Sequence, residues 1–365
     1  MHAIIKKEDI TSALGMTMGV VEKKQTLPIL ANVLISFDND GFNLLATDLE
    51  SELATLGSPA TVKSSGKTTT SAKKLHELCR LIPDNDDIEI SLDTDKLKIK
   101  TNSGKYSLAT LPSEDFPVFE SSSDEIEAKI NAAHLREALS STAFAMGNQD
   151  WRHYLNGLYI SISKNLITTV ATDAHRLAIN AVEADADNDF VGIIPRKSVN
   201  EIIRLLGDID EDVLIKANEA SLTLVTQKSV FKTKLIDGNY PDYTQVIPSG
   251  DNSTIDVNVG LLSEALSRAS VLSNEKYKGV KINANKDSLY ISANNPDDES
   301  ANESISAKYD GDNAEIAFNV NYLQEILNQQ PSENCYIQIF GPEKSCIIVP
   351  PNSDYPKYVL MPLLI

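Results

Sequence analysis

Hydrophobic and polar positions alternate with a period of two in three separate stretches of the chain. Asn32–Glu50 reads NVLISFDNDGFNLLATDLE, Asn156–Arg176 reads NGLYISISKNLITTVATDAHR, and Lys278–Glu299 reads KGVKINANKDSLYISANNPDDE. Each predicts a strand, a polar turn and a second strand that closes on Ala and a short polar residue. The closing alanines, Ala46, Ala171 and Ala293, lie about 125 and 122 residues apart. That period is too long for a solenoid and right for tandem domains.

Other segments switch to a helical period. Ser71–Ile82, Pro195–Leu206 and Asn319–Gln329 predict short amphipathic helices, with Leu75, Leu78, Cys79 and Ile82 on one face of the first and Val199, Ile202, Ile203 and Leu206 on one face of the second. Ser71 suits an N-cap and Pro195 a first helical turn. Each unit also opens with a predicted helix: Glu8–Val21, Ala132–Met146 and Val259–Leu272. Polar joints at Ser121–Glu125 and Ser249–Ser253 separate the units. The expected fold is α+β: three tandem domains, 1–124, 125–251 and 252–365, each running helix, strands, helix, strands.

The formal net charge of −19 argues against a strongly basic nucleic-acid groove, because phosphates are held by Lys and Arg. Net charge says nothing about distribution, however. The six predicted helices hold eight Lys or Arg against seven Asp or Glu, so the acidic excess lies in strands and loops. Lys73, Lys74 and Arg80 on one second helix, and Arg196, Lys197 and Arg204 on the next, put positive charge on helix surfaces. Helices facing inward and sheets outward would offer DNA a near-neutral to weakly basic wall. A solvated face is the bland alternative for any single cluster. Three cysteines without CxxC spacing fit a reducing, cytoplasmic setting and neither a disulfide framework nor a zinc site. No apolar run is long enough for a membrane span, and the first residues do not read as a secretory signal.

Chemistry is sparse. Asp173-Ala174-His175-Arg176 places Asp and His two apart, on one face if the segment is a strand, and a metal-dependent hydrolase centred on Asp173 and His175 is conceivable. No HExxH, GxSxG or Gly-rich phosphate loop supports it, and the first repeat copy reads Asp48-Leu49-Glu50. Asp38-Asn39-Asp40-Gly41 lacks the Glu that closes a calcium loop and reads as a hairpin turn. The Gln149–Tyr154 loop mixes aromatics with Arg; it could meet phosphates and bases, or pack inward. The apolar end, Tyr358–Ile365, reads as a core strand or as one wall of a peptide groove.

Taken in order, Thr26–Leu30, Ala46–Glu50, Tyr154–Gly157, Ala171–Leu177, Ile194–Lys197, Tyr240–Tyr243, Leu272–Lys276 and Met361-Pro362 resemble the bacterial β sliding clamp of the replicative DNA polymerase, over the whole chain. The resemblance implies a non-catalytic processivity factor without cofactor: a head-to-tail homodimer whose ring encircles duplex DNA and tethers the polymerase, the clamp loader and other proteins bearing a clamp-binding motif. A clamp-like protein of a phage or mobile element would fit the same residues. The resemblance implies DNA-facing roles for Lys24, Gln149, Arg152 and Tyr154, beside the helix cations Lys73, Lys74, Arg80, Arg196 and Lys197. It implies a partner-peptide pocket of Leu155, Thr172, His175, Arg176, Leu177, Pro241, Val246, Ser345, Val359, Leu360, Met361 and Pro362. The dimer contact it implies sets Tyr106 and Leu108 against Val271 and Leu272. Ala174 stands where the family mostly has Gly, Gln245 and Leu364 where it has Arg, and His153 where it often has Tyr, so peptide selectivity is open.

Overall fold

The computed structural model describes residues 1–21, 27–38, 41–120, 126–163, 165–186, 188–207 and 209–363. Domain 1 comprises β1 (His2–Lys6), α1 (Lys7–Thr17), β2 (Asn32–Asp38), β3 (Gly41–Thr47), β4 (Ser51–Thr55), β5 (Thr61–Ser64), β6 (Gly66–Ser71), α2 (Ala72–Leu81), β7 (Asp87–Asp93), β8 (Lys96–Lys100) and β9 (Lys105–Leu111). Domain 2 comprises β10 (Ile126–Asn131), α3 (Ala132–Ala143), β11 (Gly157–Ser163), β12 (Leu166–Thr172), β13 (Arg176–Glu183), β14 (Asp185–Ala186), β15 (Phe190–Pro195), α4 (Arg196–Leu206), β16 (Asp212–Ala217), β17 (Ser221–Val225) and β18 (Ser229–Lys234). Domain 3 comprises β19 (Ser253–Asn258), α5 (Val259–Ser270), β20 (Gly279–Asn285), β21 (Ser288–Asn294), β22 (Ser300–Tyr309), β23 (Ala314–Asn319), α6 (Val320–Leu327), β24 (Asn334–Ile339), β25 (Cys346–Val349) and β26 (Lys357–Leu360).

The alternation builds the hairpins it predicts. In β2–β3, Val33, Ile35, Phe37, Phe42 and Leu44 are buried and face the helices of domain 1. Asn131, Asn258 and Asn319 cap α3, α5 and α6 through their side-chain oxygens, and the Ser71 hydroxyl accepts the Lys74 N–H at the start of α2. The opening helices stop sooner than the periodicity indicated, at Thr17, Ala143 and Ser270. Beyond those points the amides of Val20, Ala145 and Leu272 bond three residues back, to Thr17, Thr142 and Ala269. That tight final turn preserves apolar spacing without continuing the α-helix.

The domains are joined strand to strand. Domain 2 lends β18 to β4 of domain 1, with Phe231 opposite Leu53, and lends β13 to β26 of domain 3, with Ala178 opposite Tyr358. Two continuous antiparallel sheets result, of 14 and 12 strands. The helices form a matching arc. Within domains, α1 packs on α2, α3 on α4 and α5 on α6. Between domains 1 and 2, Arg204 of α4 donates to the carbonyls of Gly15 and Met16 near the end of α1, where the helix dipole is negative. Between domains 2 and 3, Arg176 donates to the Phe144 carbonyl just beyond α3 and to Glu325 of α6. The arc therefore runs α2, α1, α4, α3, α6, α5. It leaves α2 with β9 at one end of the molecule and α5 with β22 at the other.

Candidate interaction surfaces

The groove region between domains 2 and 3 is built on the β13–β26 pair. Leu177 lies opposite Val359, and both sit in an apolar cluster with Val170, Ile179, Ile347 and Val349, flanked by Tyr159, Tyr240, Tyr243, Ile247, Tyr336 and Phe340. The His175 carbonyl accepts the Met361 N–H at 3.1 Å, which continues the junction past the strand end. Around this floor, Met361, Val246, Pro241 and His175 are exposed, while Thr172, Ser345 and Pro362 are half-buried. Leu155 is buried in a short 3-10 turn, His153–Asn156. The aromatic flank of Tyr159, Tyr240 and Tyr243 was missed from sequence; the two Tyr in Tyr240-Pro241-Asp242-Tyr243 were the available signal. Asp242 caps the turn that follows by accepting the Thr244 N–H, and it also holds the Gln245 amide at 2.9 Å.

Leu155, Leu177 and Val359 are buried in the free chain, and two further residues of the expected pocket have other engagements. Leu360 is fully buried in the main core with Cys346 and Tyr358, because alternation along β26 turns it away from Val359. Arg176 has only 7% of its side chain exposed. It lies between the rings of Phe144 and Tyr322, at 5.0 and 4.6 Å, and bonds Asp173, Glu325 and the Phe144 carbonyl. A guanidinium so fully engaged rivets domain 2 to domain 3 and leaves little to offer a ligand.

The Asp173–His175 segment is a turn between β12 and β13, with Ala174 at φ 74°, and not a strand. One Asp173 oxygen accepts the His175 and Arg176 amides, the other the Arg176 guanidinium. That carboxylate is committed to the turn. Among the described residues, no group of three or more His, Cys, Asp or Glu could hold a metal ion.

The residues expected to face DNA split into two sets. Lys73, Lys74, Arg80 and Gln149 are exposed and Tyr154 half-buried, with Lys73 near Glu77. Arg152, Arg196 and Lys197 are engaged internally. Arg152 makes a two-pronged bond to Asp150, whose carboxyl it holds down at about 2. Arg196 donates to the carbonyls of Met146 and Gly147. Lys197 reaches across to Asp48 of domain 1. Burial pushes the Asp48 carboxyl up, yet the Lys197 bond and charge and the Ser51 and Glu50 amides bring it below its ordinary value. Lys24 and Leu364 lie outside the described residues.

A cleft of about 1280 Å³ lies between domains 1 and 2. The chain itself fills much of its wall: the Phe119 N–H donates to Glu52, Lys232 donates to the Glu120 carbonyl, and Lys234 sits 5.5 Å over the Phe119 ring. The surface between domains 2 and 3 differs in kind, joining an apolar floor to an exposed rim. Among the described residues, no helix is long and apolar enough to cross a membrane.

Three family models cover the chain: the N-terminal, central and C-terminal domains of the DNA polymerase III beta subunit, over residues 1–120, 129–242 and 244–364. The chain belongs to the DNA polymerase III beta subunit family. It is 36% identical to the beta sliding clamp of Pseudomonas putida and 32% to that of Escherichia coli, in each case across all of both proteins. Among solved structures, it matches the DNA polymerase III subunit beta of Pseudomonas aeruginosa with a TM-score of 0.97 at 35% identity, and the Caulobacter crescentus pol III beta with 0.93 at 31%, again over the full length of both chains. A sliding clamp of Bartonella birtlesii, solved bound to griselimycin, matches at 0.94 and 33%. The protein is thus a DNA sliding clamp, a processivity factor and not an enzyme, and nothing supports the hydrolase alternative.

Proposed function

We propose that two copies of this chain close head to tail into a ring that retains DNA by threading, and that replication proteins dock in the groove between domains 2 and 3. The observation that carries the ring is a pair of unused ends. Among the described residues, no strand pairs with the outer edge of β9 along Lys105–Ala109 or of β22 along Ser300–Ser306. An open sheet edge is a template for another strand. The repeat supplies its register. At both internal junctions a buried aromatic stands opposite the residue that pairs with the closing alanine: Phe231 opposite Leu53, and Tyr358 opposite Ala178. In β22 the residue paired with the closing Ala293 is Ala301, and in β9 the position matching Phe231 is Tyr106. Tyr106 of one copy therefore meets Ala301 of the other. Leu81 and Val271, 84% and 78% exposed, lie at the ends of α2 and α5 that this closure brings together.

A twofold axis makes two such junctions and closes six domains, with the boundaries at 1–124, 125–251 and 252–365. The exposed Lys73, Lys74, Arg80 and Gln149, with Lys24, then supply weak phosphate contacts that let the ring slide on duplex DNA. Peptides of the polymerase and clamp loader lay apolar side chains over Leu177 and Val359 between Met361, Val246 and Pro241. Three unpaired, buried thiols suit the reducing cytoplasm. Paired substitutions Tyr106→Cys and Ala301→Cys test the register. Facing Cα atoms in an antiparallel pair are within disulfide reach, so oxidation should give a covalent dimer. Absence of a crosslink in a protein that is dimeric by mass would overturn this junction.

A further inference from the structure

Resting on that ring, we propose that the loops following the first helices of domains 2 and 3 form a stacking surface for unpaired bases of single-stranded DNA at one mouth of the hole, with Trp151 and Tyr277 as its platforms. Trp151 is 81% exposed and is the only tryptophan in the chain. Its loop is braced rather than slack. The Asp150 amide donates to Asn156 and the Asn156 amide donates back to the Asp150 carbonyl, both at 2.8 Å, while Asp150 pins Arg152. The Arg152 guanidinium lies 5.7 Å from the indole centroid. A hydrogen-bonded mount thus presents a large apolar ring to solvent.

The same device recurs one domain later. Tyr277 is 58% exposed, in the loop between α5 and β20, with the Lys276 ammonium 5.2 Å from its ring. Asn274 accepts the Lys276 and Tyr277 amides, and Asn319 donates to the Tyr277 carbonyl at 3.3 Å. Both loops follow the equivalent helix of their repeat. In a head-to-tail ring they emerge on the same side, giving four aromatic platforms, with the Lys276 ammonium beside each Tyr277 and the Asp150-paired Arg152 beside each Trp151. An apolar peptide is served by an apolar groove. A flat base on an anionic backbone is served by an exposed ring with a cation at its edge, and such binding tolerates any sequence. Duplex DNA keeps its bases stacked and offers these rings nothing.

Because Trp151 is the only tryptophan, its emission is the reporter. The protein is titrated with oligothymidylate of roughly twenty nucleotides, longer than the ~4–16 that one stacking module covers. Saturable quenching is expected, and markedly less of it with duplex of equal length. Read by the anisotropy of a labelled oligonucleotide, Trp151→Ala and Tyr277→Ala should each weaken binding by about tenfold, the lower part of the stacking range. Trp151→Phe should retain most of the affinity. Unchanged emission at saturating oligonucleotide, equal quenching by duplex, or wild-type affinity in both alanine variants would overturn the proposal. Retention of wild-type protein on nicked circular plasmid, measured alongside, separates the two readings: a protein that threads but leaves Trp151 unquenched overturns this inference alone.

Discussion

Replacing Tyr106 with Ala probes the ring junction through a single side chain. The matching aromatics at the two internal junctions, Phe231 and Tyr358, are 1% and 0% exposed, whereas Tyr106 is 38% exposed. Closing the ring should therefore cover the remainder of Tyr106. For a side chain of aromatic size that is roughly 80 Å², or about 2 kcal/mol at ~25 cal/mol per Å². One such loss is about thirtyfold in an equilibrium constant. The ring has two identical junctions, so dimer dissociation should become easier by about a thousandfold, on the order of 4 kcal/mol in all. Sedimentation equilibrium over a dilution series reads the constant directly. Circular dichroism should show a normally folded chain, since Tyr106 lies at an open edge in the monomer. A dissociation constant within threefold of wild type would refute the reasoning.

Asp48→Asn should loosen the domain 1–2 junction, since it leaves Lys197 facing a neutral amide, at a cost of about 1–3 kcal/mol near neutral pH. The Asp48 carboxyl is held below its ordinary value in the folded chain, so its contribution is full above the unfolded value and is lost as pH falls through the folded one. The melting-temperature gap between variant and wild type should accordingly narrow as pH falls below the unfolded value of about 4; a gap that stays constant or widens on acidification contradicts the assignment. Deleting residues 361–365 should abolish binding of a fluorescent clamp-binding peptide while leaving the dimer intact, and undiminished peptide affinity would move the groove elsewhere. Acidic residues flanking that peptide should add under about 1 kcal/mol, because Gln245 is neutral and tied to Asp242; a tenfold preference for the acidic peptide, fading with salt, would assign that role to other cations.

The repeat was legible because each copy carries the same hairpin ending and the same helix phrase, and periodicity survives wherever one face of an element is buried. Helix ends were read too long at Val21, Met146 and Leu272, since a tight terminal turn keeps apolar spacing after α-geometry has ended. Roles that depend on distant partners were not legible. Lys197 reads as a free cation until Asp48, 149 residues away, is placed beside it. Arg196 spends its guanidinium on backbone carbonyls, and Arg204 divides its own between Glu201, three residues back, and the Gly15 and Met16 carbonyls; no side-chain pattern encodes the carbonyl acceptors. Leu360 illustrates the period of two: one position along β26 separates the groove floor from the core. Asp173 and His175 looked like paired chemistry only while the segment was taken for a strand.

Threading is the claim on which everything else depends. Loaded onto nicked circular plasmid and washed at rising salt, a closed ring should remain bound after its few phosphate contacts are screened, and cutting the same plasmid once should release it. Equal loss from circular and linear DNA at the same salt would contradict the account.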